Sequence, residues 1–200
     1  MPLLLATNNQ DKIEELQDLL KDTGFELVTP ADLNLELEVT EDGLTYAENA
    51  AKKAVAFAKT SGLLSLADDS GLEVDALNGA PGLYSARYGS TNGKKLTYAE
   101  RRAFLINNLQ PFPRPWTARF KATIAIADTN YKLQITEGVC EGEIIPEERG
   151  AGGFGYDPIF LFPELGKTMA ELSMDEKNRL SHRAKAVMKA KEALKSLLVS

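Results

Sequence analysis

The 200-residue chain is 44% hydrophobic and 26% charged, the balance of a globular protein long enough to bury a domain-sized core. Its formal charge of -6, from 23 Lys and Arg against 29 Asp and Glu, with no Lys/Arg block, argues against a non-specific grip on nucleic acid or an anionic membrane. One cysteine, Cys140, and one histidine, His182, exclude an internal disulfide and the usual Cys/His zinc frameworks. A bound metal would therefore have oxygen ligands, which selects Mg²⁺ or Mn²⁺. The opening MPLLLATNNQ lacks the basic and longer apolar parts of a secretory signal, no stretch of about 18 apolar residues occurs, and a cytoplasmic location is expected.

Leu3 to Thr7 reads as a short buried strand feeding a helix whose apolar face is Ile13, Leu16, Leu19 and Leu20 and which Gly24 stops. Phe25 to Thr29 is a second strand, so the chain opens with a βαβ unit. Thr45 and Glu48 form a capping box for a helix through Ala50 to Lys59. Leu63 to Ala67 is then a strand ending at Asp68-Asp69, with Ser70-Gly71 as the turn. Thr97 and Glu100 cap a helix to Leu109, and the Pro-rich stretch Pro111 to Pro115 reads as a boundary between lobes. Trp116 to Asp128 and Tyr131 to Ile145 alternate polar with β-branched and aromatic residues, the pattern of a long hairpin. A glycine-rich loop, Gly150 to Asp157, leads to the apolar segment Ile159 to Phe162. A last helix starts near Ser181 and buries Val187, Ala190, Leu194, Leu197 and Leu198. The fold class is α/β with a mixed sheet.

Two phosphate motifs are only approximated. Gly166-Lys167-Thr168 ends like a P-loop, but Leu161 stands where that loop needs glycine. Gly150-x-Gly152-x-x-Gly155 matches the dinucleotide fingerprint, yet Tyr-Asp-Pro and an extended run follow where a helix should.

Four segments carry chemistry, each with a plainer alternative. The strand end Thr7-Asn8-Asn9-Gln10-Asp11-Lys12 could hold an anion on helix N–H groups, with Lys12 folding back toward a phosphate; the alternative is ordinary capping by Asn. Asp68 and Asp69 could ligate Mg²⁺ and take a proton from water, or form an Asx turn. Successive side chains on a strand diverge, so the two share a role only if the chain turns between them. Phe154, Tyr156 and Asp157 suit a flat base, stacked and met at its edge, or a hairpin with core aromatics. Lys177 and Ser181-His182-Arg183 offer donors to a keto oxygen or phosphate, or a solvated helix start.

Together these segments resemble the non-canonical purine nucleoside triphosphate pyrophosphatases, also called inosine triphosphate pyrophosphatases. The resemblance runs through Leu4-Ala6-Thr7-x-Asn9-x-x-Lys12, Gly43-Leu44-Thr45-Tyr46-x-Glu48-Asn49-Ala50 and Ala67-Asp68-Asp69-Ser70-Gly71-Leu72. It continues in Gly79-Ala80-Pro81-Gly82-x-Tyr84-Ser85-Ala86-Arg87, Gly153-Phe154-Gly155-Tyr156-Asp157-Pro158-Ile159-Phe160, and Lys177 with Ser181-His182-Arg183. It implies an elongated α/β fold with a mixed sheet and flanking helices, two lobes of a single domain around a central nucleotide-binding cleft, and a homodimer. The implied reaction is Mg²⁺-dependent hydrolysis of ITP, dITP and XTP to the monophosphate and pyrophosphate, which cleanses the nucleotide pool.

Carried over by position, Asp69 is the catalytic proton acceptor and metal ligand. Thr7, Asn8, Asn9, Gln10, Asp11 and Lys12 bind the triphosphate, Ser70 contacts substrate, and Phe154, Gly155, Tyr156 and Asp157 bind the base. Lys177, His182 and Arg183 complete the nucleotide contacts. Many members have Gly where this chain has Asn8, and a carboxylate where it has Thr40, so the second metal ligand is either Glu41 or Asp68 with water. Lys52 or Lys53 would assist Lys12 with the phosphates. Donors aimed at the 6-keto oxygen, from His182, Arg183 or backbone, would reject adenine. The alternatives are a Maf-type nucleotide pyrophosphatase with another base preference, and a nucleotide-binding sensor without turnover.

Overall fold

A computed structural model describes residues 1–91 and 93–198. The side chain of Leu198, expected on the buried side of the last helix, lies outside the described residues. Strand β1 (Pro2–Leu5) leads into helix α1 (Gln10–Leu20) and back to β2 (Glu26–Val28), which runs parallel to β1 with Pro2 opposite Glu26. This is the expected βαβ unit. Ile13, Leu16, Leu19 and Leu20 are buried as their helical spacing requires, and Glu15 is buried with them.

Helix α2 (Tyr46–Ser61) begins at Thr45, whose hydroxyl accepts from the Glu48 N–H at 3.1 Å. The reciprocal half of the box is missing: the Glu48 carboxylate accepts from the Leu44 N–H instead, at 2.7 Å. Strand β3 (Leu64–Val74) departs from the sequence reading. It does not end at the aspartates but continues through Asp68, Asp69, Ser70 and Gly71. No turn brings the two carboxylates together, and strand alternation sends them to opposite faces.

Helix α3 (Tyr98–Leu109) has both halves of its Thr97–Glu100 capping box. Strands β4 (Trp116–Ala127) and β5 (Leu133–Ile144) are sheet neighbours joined at the expected turn, where the Asp128 N–H donates to the Lys132 carbonyl at 3.2 Å. Strands β6 (Phe160–Phe162) and β7 (Lys167–Thr168) follow. Helices α4 (Met174–Leu180) and α5 (His182–Leu198) close the described chain. Among the described residues the seven strands have the order β2-β1-β3-β4-β5-β6-β7. The β2-β1-β3 pairings are parallel and the β5-β6-β7 pairings antiparallel, so the sheet is mixed and the class α/β, as expected. No helix among the described residues is long and apolar enough to cross a membrane.

Two compact units divide the chain: residues 1–69, 122–138 and 182–200, and residues 70–121 and 139–181. Pro111 to Pro115 is therefore inside the second unit and not at a boundary. In the first unit the sheet is covered on both faces. Leu3, Leu5, Leu64 and Leu66 pack with Ile13, Leu16 and Leu20 of α1 and Val187, Ala190 and Leu194 of α5. Leu4, Ala6 and Ala67 pack with Ala50, Ala54 and Phe57 of α2. The second unit has its own core, built from Leu105 and Leu109 of α3 with Trp116, Phe120, Tyr156, Ile159 and Phe160.

Candidate active site

The two-faced packing of the first unit decides where each aspartate goes. Leu64, Leu66 and Asp68 share one face of β3, and Ser65, Ala67 and Asp69 share the other. Strand β1 pairs with β3 only as far as Leu5 opposite Leu66, so both carboxylates lie just beyond the carboxyl end of β1. That is where sheets of this kind receive ligands.

On the α1 and α5 face, Asp68 is 0% exposed. Its Oδ1 accepts from Lys12 Nζ at 2.6 Å and its Oδ2 from Arg183 Nε at 2.8 Å, while Arg183 Nη1 is bonded to Glu15. Burial alone would push the Asp68 carboxyl up, but the charges of Arg183 and Lys12 outweigh it and hold it far below the usual carboxylate range. The same burial pulls Lys12 below the usual ammonium range, against the attraction of Asp68. Arg183 is only 2% exposed and its Nε, Nη1 and Nη2 all face carboxylates. The solvated helix start that the sequence allowed for Ser181-His182-Arg183 does not occur, since all three are buried. Gly138 makes this packing fit: a Cβ there would sit 2.1 Å from the His182 carbonyl oxygen.

On the α2 face, Lys53 gathers three oxygens. Its Nζ donates to Glu41 Oε1 at 2.5 Å, to the Asp68 carbonyl at 2.7 Å and to Asp69 Oδ1 at 3.2 Å. Burial pushes Asp69 above the usual carboxylate range, partly offset by the Lys53 charge. Its two neighbouring carboxylates push the same way. Lys53 itself stays above the usual ammonium range because Asp69 and Glu41 outweigh its desolvation. Glu41 and Asp69 thus converge on one cation, whereas Asp68 is engaged by Lys12 and Arg183. Lys52 pairs instead with Asp42 at the surface, at 2.5 Å.

The segment after β1 is tightly organised. Asn9 is the N-cap of α1, its Oδ1 accepting from the Lys12 N–H at 3.1 Å, and Thr7 Oγ1 accepts from the Asn9 N–H at 3.2 Å. Gln10 and Asp11 form the first turn. Asn8 donates from Nδ2 to the Leu37 carbonyl at 3.3 Å, and its φ is not positive, so this position does not require glycine.

The second unit holds the glycine loop. Asp157 Oδ2 accepts from Lys177 Nζ at 2.7 Å and from the Phe154 N–H at 3.1 Å, so this carboxylate braces the loop. Lys177 Nζ lies 5.6 Å from the centre of the Phe154 ring. Gly153 has φ +68, and a Cβ there would fall 2.1 Å from Asp157 Oδ2, so glycine is required for the brace. Tyr156 is 4% exposed in the core and donates its hydroxyl to the Ser85 carbonyl at 3.0 Å. Its ring and hydroxyl are thus held in the core, leaving Phe154 as the half-buried ring of the loop. Ser70 is half-buried within β3. Sequence reasoning missed Glu15 and understated Lys53; the only available signal for Glu15 was a charged residue set between Ile13 and Leu16 on an apolar helix face.

The fold and these two clusters define an α/β protein with a carboxylate and ammonium site past the end of a parallel strand and a braced aromatic loop. The chain belongs to the Ham1 family, whose model matches residues 3–193. It is 50% identical over 200 residues to the dITP/XTP pyrophosphatase of Desulforamulus reducens, covering 100% of this chain and 98% of that protein. To the dITP/XTP pyrophosphatase of Bacillus subtilis it is 39% identical over 193 residues, covering 96% of each. The structure is similar to that of a HAM1 protein from Coxiella burnetii, with a TM-score of 0.86, 40% identity, and 98% of this chain and 99% of that one covered. The Staphylococcus aureus Ham1 protein gives a TM-score of 0.84 at 37% identity, with 98% and 99% covered.

Proposed function

We propose that the chain is a Mg²⁺-dependent pyrophosphatase of dITP, XTP and ITP, releasing the nucleoside monophosphate and pyrophosphate and so removing deaminated purines from the nucleotide pool. The observation that carries this reading is the division of labour between the adjacent aspartates. Asp68 is neutralised by Lys12 and Arg183, while Asp69 meets Glu41 at the Lys53 ammonium.

The donor set suits Mg²⁺. Two carboxylate oxygens already converge on a cation, and Mg²⁺ is commonly held by one or two carboxylates with substrate phosphates and water completing its shell. Among the described residues no group of three His, Cys, Asp or Glu is placed to hold a metal. Glu41 and Asp69 are the proposed ligands, and the bound ion would neutralise charge on the phosphate oxygens.

The chain's own residues do the rest. Asp69 accepts the proton of a water that attacks the α-phosphorus in line with departing pyrophosphate. Lys53 and Lys12 supply fixed positive charge for the phosphates, and Asp68 with Arg183 fixes where Lys12 stands. In the second unit Phe154 offers its ring to the base, and Lys177 is the donor beside it. A donor meeting the 6-keto oxygen of an oxopurine would meet an amino group in ATP, which costs roughly 1–3 kcal/mol per unsatisfied group. A homodimer is the proposed assembly.

Incubation of ITP with Mg²⁺ should yield IMP and pyrophosphate, and Asp69→Asn should abolish both products while circular dichroism shows the fold intact. Nucleotide binding without products would instead make the chain a sensor. Preference for dTTP or UTP over ITP would refute the proposed base selectivity.

A further inference from the structure

Arg102 stands outside every role described so far, yet it links a residue just before the glycine loop to a carbonyl within it. From α3 its Nε and Nη2 donate to Glu148 Oε1 and Oε2, each at 2.8 Å, and its Nη1 donates to the Gly155 carbonyl at 2.9 Å. Glu148 precedes the loop and Gly155 directly follows Phe154, so one guanidinium joins the approach to the loop with the residue after its ring. All these residues are in the second unit.

The loop needs such a restraint. Gly150, Gly153 and Gly155 all have positive φ, at 85°, 68° and 62°, and glycine-rich backbone retains the most freedom to be lost on ordering. Local turns engage the flanking carbonyls: Phe154 O accepts from the Asp157 N–H at 3.1 Å and Tyr156 O from the Ile159 N–H at 3.0 Å. The carbonyl between them is held by Arg102. The fork to Glu148 fixes the guanidinium plane, and only Arg presents such a planar fork. The first turn of the same helix also places Tyr98 against Phe154, with ring centres 6.1 Å apart.

We propose that Arg102 is a positioning residue for base recognition, clasping the loop through Glu148 and the Gly155 carbonyl so that Phe154 is presented in one orientation. This rests on the reading of Phe154 as the base-binding ring. Arg102 touches no reacting group, so its removal should loosen binding of the base and leave phosphoryl chemistry unaltered.

The test measures ITP hydrolysis together with inhibition by two probes, IMP, which carries the base, and inorganic pyrophosphate, which does not. Arg102→Ala is expected to raise the KM for ITP and the inhibition constant of IMP about tenfold, with kcat and pyrophosphate inhibition within about twofold of wild type. Arg102→Lys, which keeps the charge without the fork, should fall between the two and carries the same test should the alanine variant fail to fold. Phe154→Ala is the control. An unchanged KM in Arg102→Ala beside a raised KM in Phe154→Ala overturns the clasp and leaves the base-binding loop standing. Unchanged values in both overturn the loop reading and the clasp with it. A fall in kcat, or equal weakening of IMP and pyrophosphate, also overturns the clasp.

Discussion

The Arg183 guanidinium meets the fully buried Asp68 carboxylate at 2.8 Å, across 115 residues of sequence. This pair ties the N-terminal end of α5 to the middle of β3 and, through Asp68, to Lys12. Removing one partner of a buried ion pair leaves the other charge uncompensated. Asp68→Asn should therefore destabilise the protein by about 3–5 kcal/mol, read as a lowered urea midpoint. Asp69→Asn should lose activity with a much smaller shift of that midpoint.

Glu41 and Asp69 share the Lys53 ammonium. As a proposed Mg²⁺ ligand, Glu41 should govern metal affinity more than nucleotide affinity. Glu41→Gln is expected to raise the Mg²⁺ concentration for half-maximal activity by about tenfold or more. A magnesium titration at saturating ITP checks this, and an unchanged midpoint would move the second ligand elsewhere.

Gly153 lies where a side chain would strike both members of the Asp157–Lys177 pair, 2.1 Å from the carboxylate oxygen and 2.8 Å from the ammonium. Its φ of +68 adds strain for any L side chain. Gly153→Ala should cost about 1–3 kcal/mol in stability. It should also raise the KM for ITP more than it lowers kcat, because the change falls on the proposed base-binding loop.

Helix α4 carries Lys177 and is capped by a full Ser173–Glu176 box. A hydrogen bond from Lys167 and the Ser173 N–H hold the Glu176 carboxyl down at about 2, below an unfolded value of about 4.3. A lowered folded pKa contributes stability that is complete above the unfolded value and is lost as pH falls through the folded one. NMR titration of Glu176 should give a midpoint near 2, and Lys167→Ala should move it upward.

What was legible in the sequence was local. The α1 stripe, the α3 capping box and the β4–β5 pattern are periodicities within single elements, and all three appear where expected. Asp-Asp-Ser-Gly has the composition of a turn, so the sequence ends β3 too early; sheet context overrides such weak local preference and carries the strand to Val74. Helix α4 has no periodic apolar signal because its seven residues are mostly polar, though Ser173 and Glu176 mark its start. The site shows the same split. Asp69, Lys12 and the glycine loop stand in recognisable segments. Glu15 acquires its place only from Arg183, 168 residues away, and the pairing of Lys53 with Asp69 depends on α2 covering one particular face of β3.

Attack of water on the α-phosphorus under the control of Asp69 is the central step proposed. Hydrolysis of ITP in ¹⁸O-labelled water, with both products analysed by mass spectrometry after a single turnover, tests this directly. The label is predicted in IMP and absent from pyrophosphate. Label in pyrophosphate, or release of IDP and orthophosphate, would contradict it.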